Sequence, residues 1–191
     1  VHGSRGLGDV YKRQVHAAGV LDDGMLMHQS PKRFLKVAGP KVSGAWNLHI
    51  QTKDIPLDFF ILFSSVASII GSPGQSNYAA ANAFMDGLAH HRKHQGLVAT
   101  SINWGPWSDV GMAASDVVLQ RLMKDGWQPM NASQGCDFIG HLLKVCKLPQ
   151  AAVLPVDWRQ FAASVPGAVN WNILSHLVSK EPVSYTHLRA H

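Results

Sequence analysis

"LDFFILFSS", residues 57 to 65, decides how this chain folds. Phe59 to Phe63 are all apolar, with no polar residue between them. A strand with one face in water would alternate. An unbroken apolar run marks a strand covered on both faces, and so a parallel sheet in an α/β protein. The run stops at Ser64-Ser65. Upstream, "QVHAAGV" (14 to 20) reads as a buried strand closing on a turn glycine, and downstream "LVATSINW" (97 to 104) and "QAAVLPVDW" (150 to 158) read as two further buried strands. Helical patterns lie between them. One starts at Ser30-Pro31, an N-cap serine with proline at the first helical position. It is interrupted at Gly39-Pro40 and resumes through "KVSGAWNLHIQ". Others cover 76 to 95, about 115 to 125, and 132 to 147. This rhythm predicts a Rossmann-like, doubly wound parallel sheet. Ligands bind at the carboxyl ends of the strands in such sheets, and Ser65 stands at one.

Composition narrows the class. The 191 residues suffice for one domain with a core, and 46% apolar with 15% charged residues excludes a disordered chain. The net charge of +5 is scattered, which fits an anionic ligand better than nucleic acid. Cys136 and Cys146 have no metal or redox spacing, so reduced thiols in a cytosolic protein are expected. The longest apolar run, 56 to 71, is too short for a membrane helix, and no secretory pattern opens the chain. "HHRKH" (90 to 94) lacks an acidic partner and is read as a helix C-terminus, so no metal is expected. Residues 1–14 and 183–191 look foreign to the rest, 15–164 form the domain, and 165–182 read as a linker.

Three polar residues do not suit an apolar core. Tyr78 and Asn82 lie four apart on a helix and share a face, with Cβ atoms roughly 5–6 Å apart. Ser65 precedes the loop into that helix. A phenol beside a hydroxyl can hold a carbonyl oxygen, and the phenol can protonate it as charge develops. A free phenol titrates near ~10, so a neighbouring cation is needed at neutral pH. Lys41, on a helical face with Ala45 and Leu48 that should turn to the sheet, is the candidate.

"HAAGVLDDG", "PKVSGAWNLH", "FFILFSSVAS", "GQSNYAAANAFMDGLA", "INWGPW" and "VDWRQF", in this order, resemble the ketoreductase domains of modular type I polyketide synthases, a branch of the short-chain dehydrogenase/reductases. The resemblance covers about residues 15 to 164 and implies a catalytic set of Lys41, Ser65, Tyr78 and Asn82. Tyr78 would protonate the ketone and Ser65 orient it. Lys41 would lower the tyrosine pKa and hold the nicotinamide ribose, and Asn82 would position the lysine or a relay water. Hydride would come from NADPH. Ala18 and Gly19 would admit the adenosine side of the cofactor, and Gly105 and Pro106 would form the nicotinamide-side turn. "SDVGMAA" (108 to 114) resembles the mobile lid.

The resemblance further implies a β-ketoacyl thioester substrate on the phosphopantetheine of an acyl carrier protein, with other synthase domains as partners and no nucleic acid or membrane. "LDD" ending at Asp23, with Pro73 and Asn77, fits the B-type pattern that gives a D-hydroxyl. Ile70 stands where the opposite type has tryptophan, and Ala80 where the epimerising subtype has proline. The glycine-rich nucleotide half should precede "HAAG" by about 70 residues. "HGSRGLG" (2 to 8) lies too close to be it, since no strand, helix and second strand fit between. The sheet is therefore expected to be incomplete, with its N-terminal nucleotide-binding half largely missing, and the chain by itself inactive or poorly soluble. A fatty-acid-type or free-standing reductase, and a non-catalytic structural piece of a megasynthase, are the alternatives.

Overall fold

In the computed structural model the apolar run is the second strand of a four-stranded sheet: β1 (Arg13–His16), β2 (Phe59–Ser65), β3 (Thr100–Trp104) and β4 (Gln150–Val153). All pairings are parallel, and spatial order equals chain order. The structure describes residues 12–109, 116–145 and 147–177. They fall into two compact units, one of residues up to Gly105 with Ala132–Leu154, the other of Pro106–Asn131 with the residues from Pro155 onward. A single domain over 15–164 was the expectation. The leader up to residue 11, most of the lid, Cys146 and the tail lie outside the described residues.

The first unit holds the sheet. Successive side chains of a strand point to opposite faces. Phe60 and Leu62 are buried together with Ala45, Leu57, Met85, Leu88, Ala89 and Ala99. Ile61, between them, is also buried. Both faces are covered, which is why the run shows no alternation.

Between β1 and β2 run α1 (Pro31–Ala38), a π-helical turn (Gly39–Ser43) and α2 (Gly44–Thr52). The Ser30 hydroxyl accepts the Arg33 N–H at 3.4 Å, with Pro31 at the helix start as expected. The interruption expected at Gly39-Pro40 is not a break. Pro40 has no N–H, and its ring would crowd the carbonyl four residues back in a regular α-turn. The chain widens instead, and the Gly44 N–H reaches the Gly39 carbonyl five residues earlier. Lys41 lies inside this turn and is only 3% exposed. Single π-turns of this kind occur often at functional sites.

Between β2 and β3 the chain forms α3 (Ala67–Ile70), a loop turning at Gly71 and Gly74 with positive φ, and α4 (Ser76–His94). Between β3 and β4 it passes α5 (Asp116–Lys124), in the second unit, and α6 (Ala132–Val145), in the first. No helix among the described residues is long and apolar enough to cross a membrane.

The strand expected to reach residue 158 stops at Val153. Pro155 has no N–H to offer a ladder, and Trp158 instead opens α7 (Trp158–Ser164) of the second unit. Asp157 caps it, its Oδ1 accepting the N–H groups of Arg159 (3.0 Å) and Gln160 (3.1 Å). Phe161 is the centre of that unit, its ring meeting Trp127 and Trp158 at 5.8 Å and Trp171 at 6.2 Å. The described part of the expected linker is therefore folded: residues 168–170 and 172–174 form 3-10 turns, with Ala168 and Leu174 buried. The aromatic content of this stretch accounts for it, since Trp171 has a ring to pack on.

Candidate active site

The carboxyl ends of the parallel strands bring the expected residues to one edge. Ser65 is the last residue of β2, pairing with Trp104 of β3, and Gly105 follows, its N–H donating to the Val153 carbonyl at 3.0 Å. Beyond β1, Gly19 abuts Lys41: a Cβ built there would lie 3.0 Å from Lys41 Cε. Ala18 beside it is exposed. Pro106, next in the chain, opens the second unit, where its carbonyl accepts the Met130 N–H at 3.0 Å.

Lys41 crosses from the π-turn to α4. Its Nζ donates to Asn82 Oδ1 at 2.9 Å and to the Phe63 carbonyl at 3.1 Å, and lies over the Tyr78 ring, 5.1 Å from its centroid. Asn82 Nδ2 donates to the Tyr78 carbonyl at 2.8 Å, which fixes the amide so that its oxygen faces the lysine. Burial pulls the Lys41 pKa down to about 8, against the opposing pull of the Asp86 charge.

The Tyr78 phenol is itself buried. Its pKa is raised, because burial penalises the phenolate more than hydrogen bonding with Asn82 and Ser65 favours it, and the Asp23 charge adds to the rise. The Ser65 hydroxyl also accepts the Ala67 N–H at 3.2 Å.

The "LDDG" loop is fastened to the head of α4. Asp23 Oδ2 accepts from Gln75 Nε2 at 2.9 Å, Asn77 Nδ2 donates to the Asp22 carbonyl at 2.8 Å, and the Gly24 N–H donates to the Gly74 carbonyl at 2.8 Å. Asp23 and Asn77 are thus drawn together, with Pro73 exposed in the same loop. Asp22 is held below its usual value by Lys36 and Arg33, which pair with it at 3.1 and 2.5 Å.

One group escaped the sequence reading. Asp86, 8% exposed, extends the face of Tyr78 and Asn82 by one more turn. Its carboxylate accepts from the Ser68 and Ser101 hydroxyls, each at 2.6 Å, and from Asn103 Nδ2 at 2.9 Å. The signal was present as a second four-residue step after Asn82, but an isolated helical aspartate reads as a solvated group.

The chain matches the model of the KR domain over residues 9–109, and it belongs to this family, the ketoreductase domain of modular polyketide synthases. The match begins inside the stretch 1–14 expected to be foreign. Polyketide synthase GfsA of Streptomyces halstedii is 44% identical over 163 residues, 85% of this chain and 2% of that protein. Phenolphthiocerol synthesis polyketide synthase type I Pks15/1 of Mycobacterium marinum is 46% identical over 134 residues, 69% of this chain and 6% of that protein. Among solved structures, that of A-type ketoreductases from a modular polyketide synthase superposes with a TM-score of 0.74 at 38% identity, covering 81% of this chain and 33% of that one. The first ketoreductase of the tylosin synthase gives 0.70 at 42% identity, over 78% and 33%. The chain thus spans about a third of the solved ketoreductase chains it matches. The relatives are multidomain synthases, and the family implies ketoreduction in polyketide biosynthesis with a nicotinamide cofactor.

Proposed function

We propose that the site reduces a β-ketoacyl thioester, carried by an acyl carrier protein, to the β-hydroxyacyl thioester with NADPH. The supporting observation is the Lys41 side chain, buried in a π-turn and joined to Asn82 on the helix that presents Tyr78. Tyr78 donates its proton to the ketone oxygen, and the Ser65 hydroxyl holds that oxygen in place. The Lys41 charge stabilises the phenolate left behind. An ammonium has three N–H donors; Phe63 and Asn82 take two, which leaves one for a ribose hydroxyl. The residues fit the cofactor, since Gly19 keeps open a space beside Lys41 that a side chain would fill. Ala18, Gly19 and Gly105 would line the cofactor, with Lys41 and Tyr78 at its ribose. When bound, NADPH supplies the hydride.

The D-configured, B-type outcome rests on Asp23, Pro73 and Asn77. The fastened "LDDG" loop walls one side of the α4 head and so restricts the approach of the acyl chain. Two solved neighbours are A-type ketoreductases, so backbone likeness leaves the stereochemical class to these residues.

The test is to graft residues 15–164 in place of the matching third of a solved ketoreductase and supply a model β-keto thioester. NADPH consumption with a D-hydroxy product on chiral chromatography is the expected outcome. Tyr78→Phe should cost ~10²–10⁴-fold in turnover. Undiminished turnover in that variant would remove Tyr78 from the mechanism, and an L-hydroxy product would remove the B-type assignment.

A further inference from the structure

Tyr78, Asn82 and Asp86 form one stripe on α4. Residues four apart on a helix lie one above the other, about 6 Å along the axis. The first two members face the proposed substrate and Lys41. The third faces a closed polar cluster between the helix and the sheet. Ser101 and Asn103 are fully buried, and Ser64 nearly so. Their partners run in a continuous chain. Asn103 Nδ2 lies 2.9 Å from Asp86 Oδ2 and from Ser68 Oγ, and 3.1 Å from Ser64 Oγ. Gln150 Nε2 donates to Asn103 Oδ1 at 3.0 Å, which settles which end of that amide faces the carboxylate. The Ser64 hydroxyl donates to the Asn82 carbonyl at 3.3 Å. The Ser68 hydroxyl stands between Asp86 Oδ2 and the Ser65 carbonyl, 2.6 and 2.8 Å away.

Three features separate this cluster from ordinary core packing. It places a carboxylate in a site where apolar residues would cost less. Its contacts end on the backbone of the site residues themselves, at the Ser65 and Asn82 carbonyls. Its negative charge acts on Lys41. The other ionisable groups facing Lys41 are His16 from β1 and Tyr78 from α4, with Asp23 beyond the phenol. His16 is held below its usual value by burial and by the Lys41 charge, so it adds no positive charge at alkaline pH.

We propose that Asp86 is a positioning residue of this site, holding the Ser65 strand end against α4 through Ser68, Ser101 and Asn103 and keeping Lys41 charged beside Tyr78. The catalytic consequence rests on the role proposed above for Lys41. The electrostatic part does not. An ammonium taken out of water loses its proton easily, and a carboxylate one helical turn below Asn82 opposes that loss.

The experiment reads Lys41 directly, by NMR titration of the 191-residue chain labelled with 13C-lysine, the Lys41 signal being assigned by its absence in Lys41→Met. The wild-type midpoint is expected near 8. Asp86→Asn and Asp86→Ser, which remove the charge with and without the volume, should lower it by about half a unit or more. Ser101→Ala keeps the charge and weakens only the cluster, and should leave the midpoint in place. A charge-removing variant with the wild-type midpoint would overturn the inference. So would a lowered midpoint in Ser101→Ala, including the case where neither Asp86 variant folds, since hydrogen bonding and not charge would then govern Lys41. The second reading is the pH–rate profile of thioester reduction by the graft described above, whose alkaline limb should move to lower pH in Asp86→Asn. A moved NMR midpoint with an unmoved alkaline limb would uphold Asp86 as the group that sets the Lys41 charge, and would sink the proposed role of Lys41 instead.

Discussion

Two cations are buried among the described residues of the first unit, and α4 meets both. Near its start lies Lys41, held by an amide oxygen and a backbone carbonyl beside a phenol. At its end lies Arg92, 1% exposed, stacked on Phe60 with its guanidinium carbon 4.0 Å from the ring centroid. Arg92 Nε donates to the Val98 carbonyl at 3.1 Å, and Nη1 reaches His49 Nδ1 at 3.1 Å and Thr52 Oγ1 at 3.3 Å. The two sites differ in what can change. A lysine gives up its proton when burial presses on it, whereas a guanidinium stays charged and is satisfied by acceptors around its planar fork of N–H groups and by an aromatic face. The first can give up its proton near neutral pH, and the second ties α2, α4 and β2 together.

Exchange of the two roles should fail most severely at the lysine. Lys41→Met should reduce thioester turnover by ~10²-fold or more, because the phenolate loses its counter-charge. Lys41→Arg should not rescue it, since the longer planar group cannot occupy the space beside Gly19. Steady-state rates of the graft check both, and a Lys41→Arg enzyme with normal turnover would erase the distinction between the two cations.

At the other end the effect falls on stability. Arg92→Ala should cost about 2–4 kcal/mol, through the cavity over Phe60 and the loss of the Arg92 donor at the Val98 carbonyl and His49 Nδ1. Denaturant unfolding of the chain measures it. Turnover per folded molecule should stay unchanged.

Lysine titration gives a finer contrast. The folded-state value of Lys41, about 8, lies below the 10.5 of free lysine. The unfolded chain therefore binds more protons across that window, and stability rises as pH climbs through it. Lys41→Met should lack this rise in unfolding experiments between pH 8 and 10.5, while Arg92→Ala should keep it.

The smallest effect is expected at His49. Burial, then the charges of Arg92, His91 and Lys53, lower its pKa. Arg92 can only donate, so His49 Nδ1 must accept and carry no proton. Below about pH 6.5 the unfolded chain takes up a proton that the folded one resists, so stability falls on acidification. His49→Gln should flatten that acid-side fall, and an unchanged slope would show that His49 is not its source.

Much of this was legible before any coordinates. The unbroken run at 59–63 announced a strand covered on both faces, and the four-residue step from Tyr78 to Asn82 put two polar groups on one helix face, because both periodicities are local. Lys41 could be noticed only as a charge on an apolar face. That Pro40 widens the helix into a π-turn, and does not end it, depends on what the turn gains by delivering Lys41 to Asn82. Arg92 reads as one more base in "HHRKH", and its burial depends on Phe60, thirty-two positions earlier in the chain.

By itself, then, the amino-acid order determined the parallel α/β architecture, the family, and which helix face carries Ser65's partners, since hydrophobic period and spacing act over a few residues. Only the tertiary structure decided which charges are buried and what satisfies them. The desolvation of an ammonium, a guanidinium or a carboxylate is set by groups far apart in the chain, and so Asp86 joins Tyr78 and Asn82 in function only once the sheet closes beneath it.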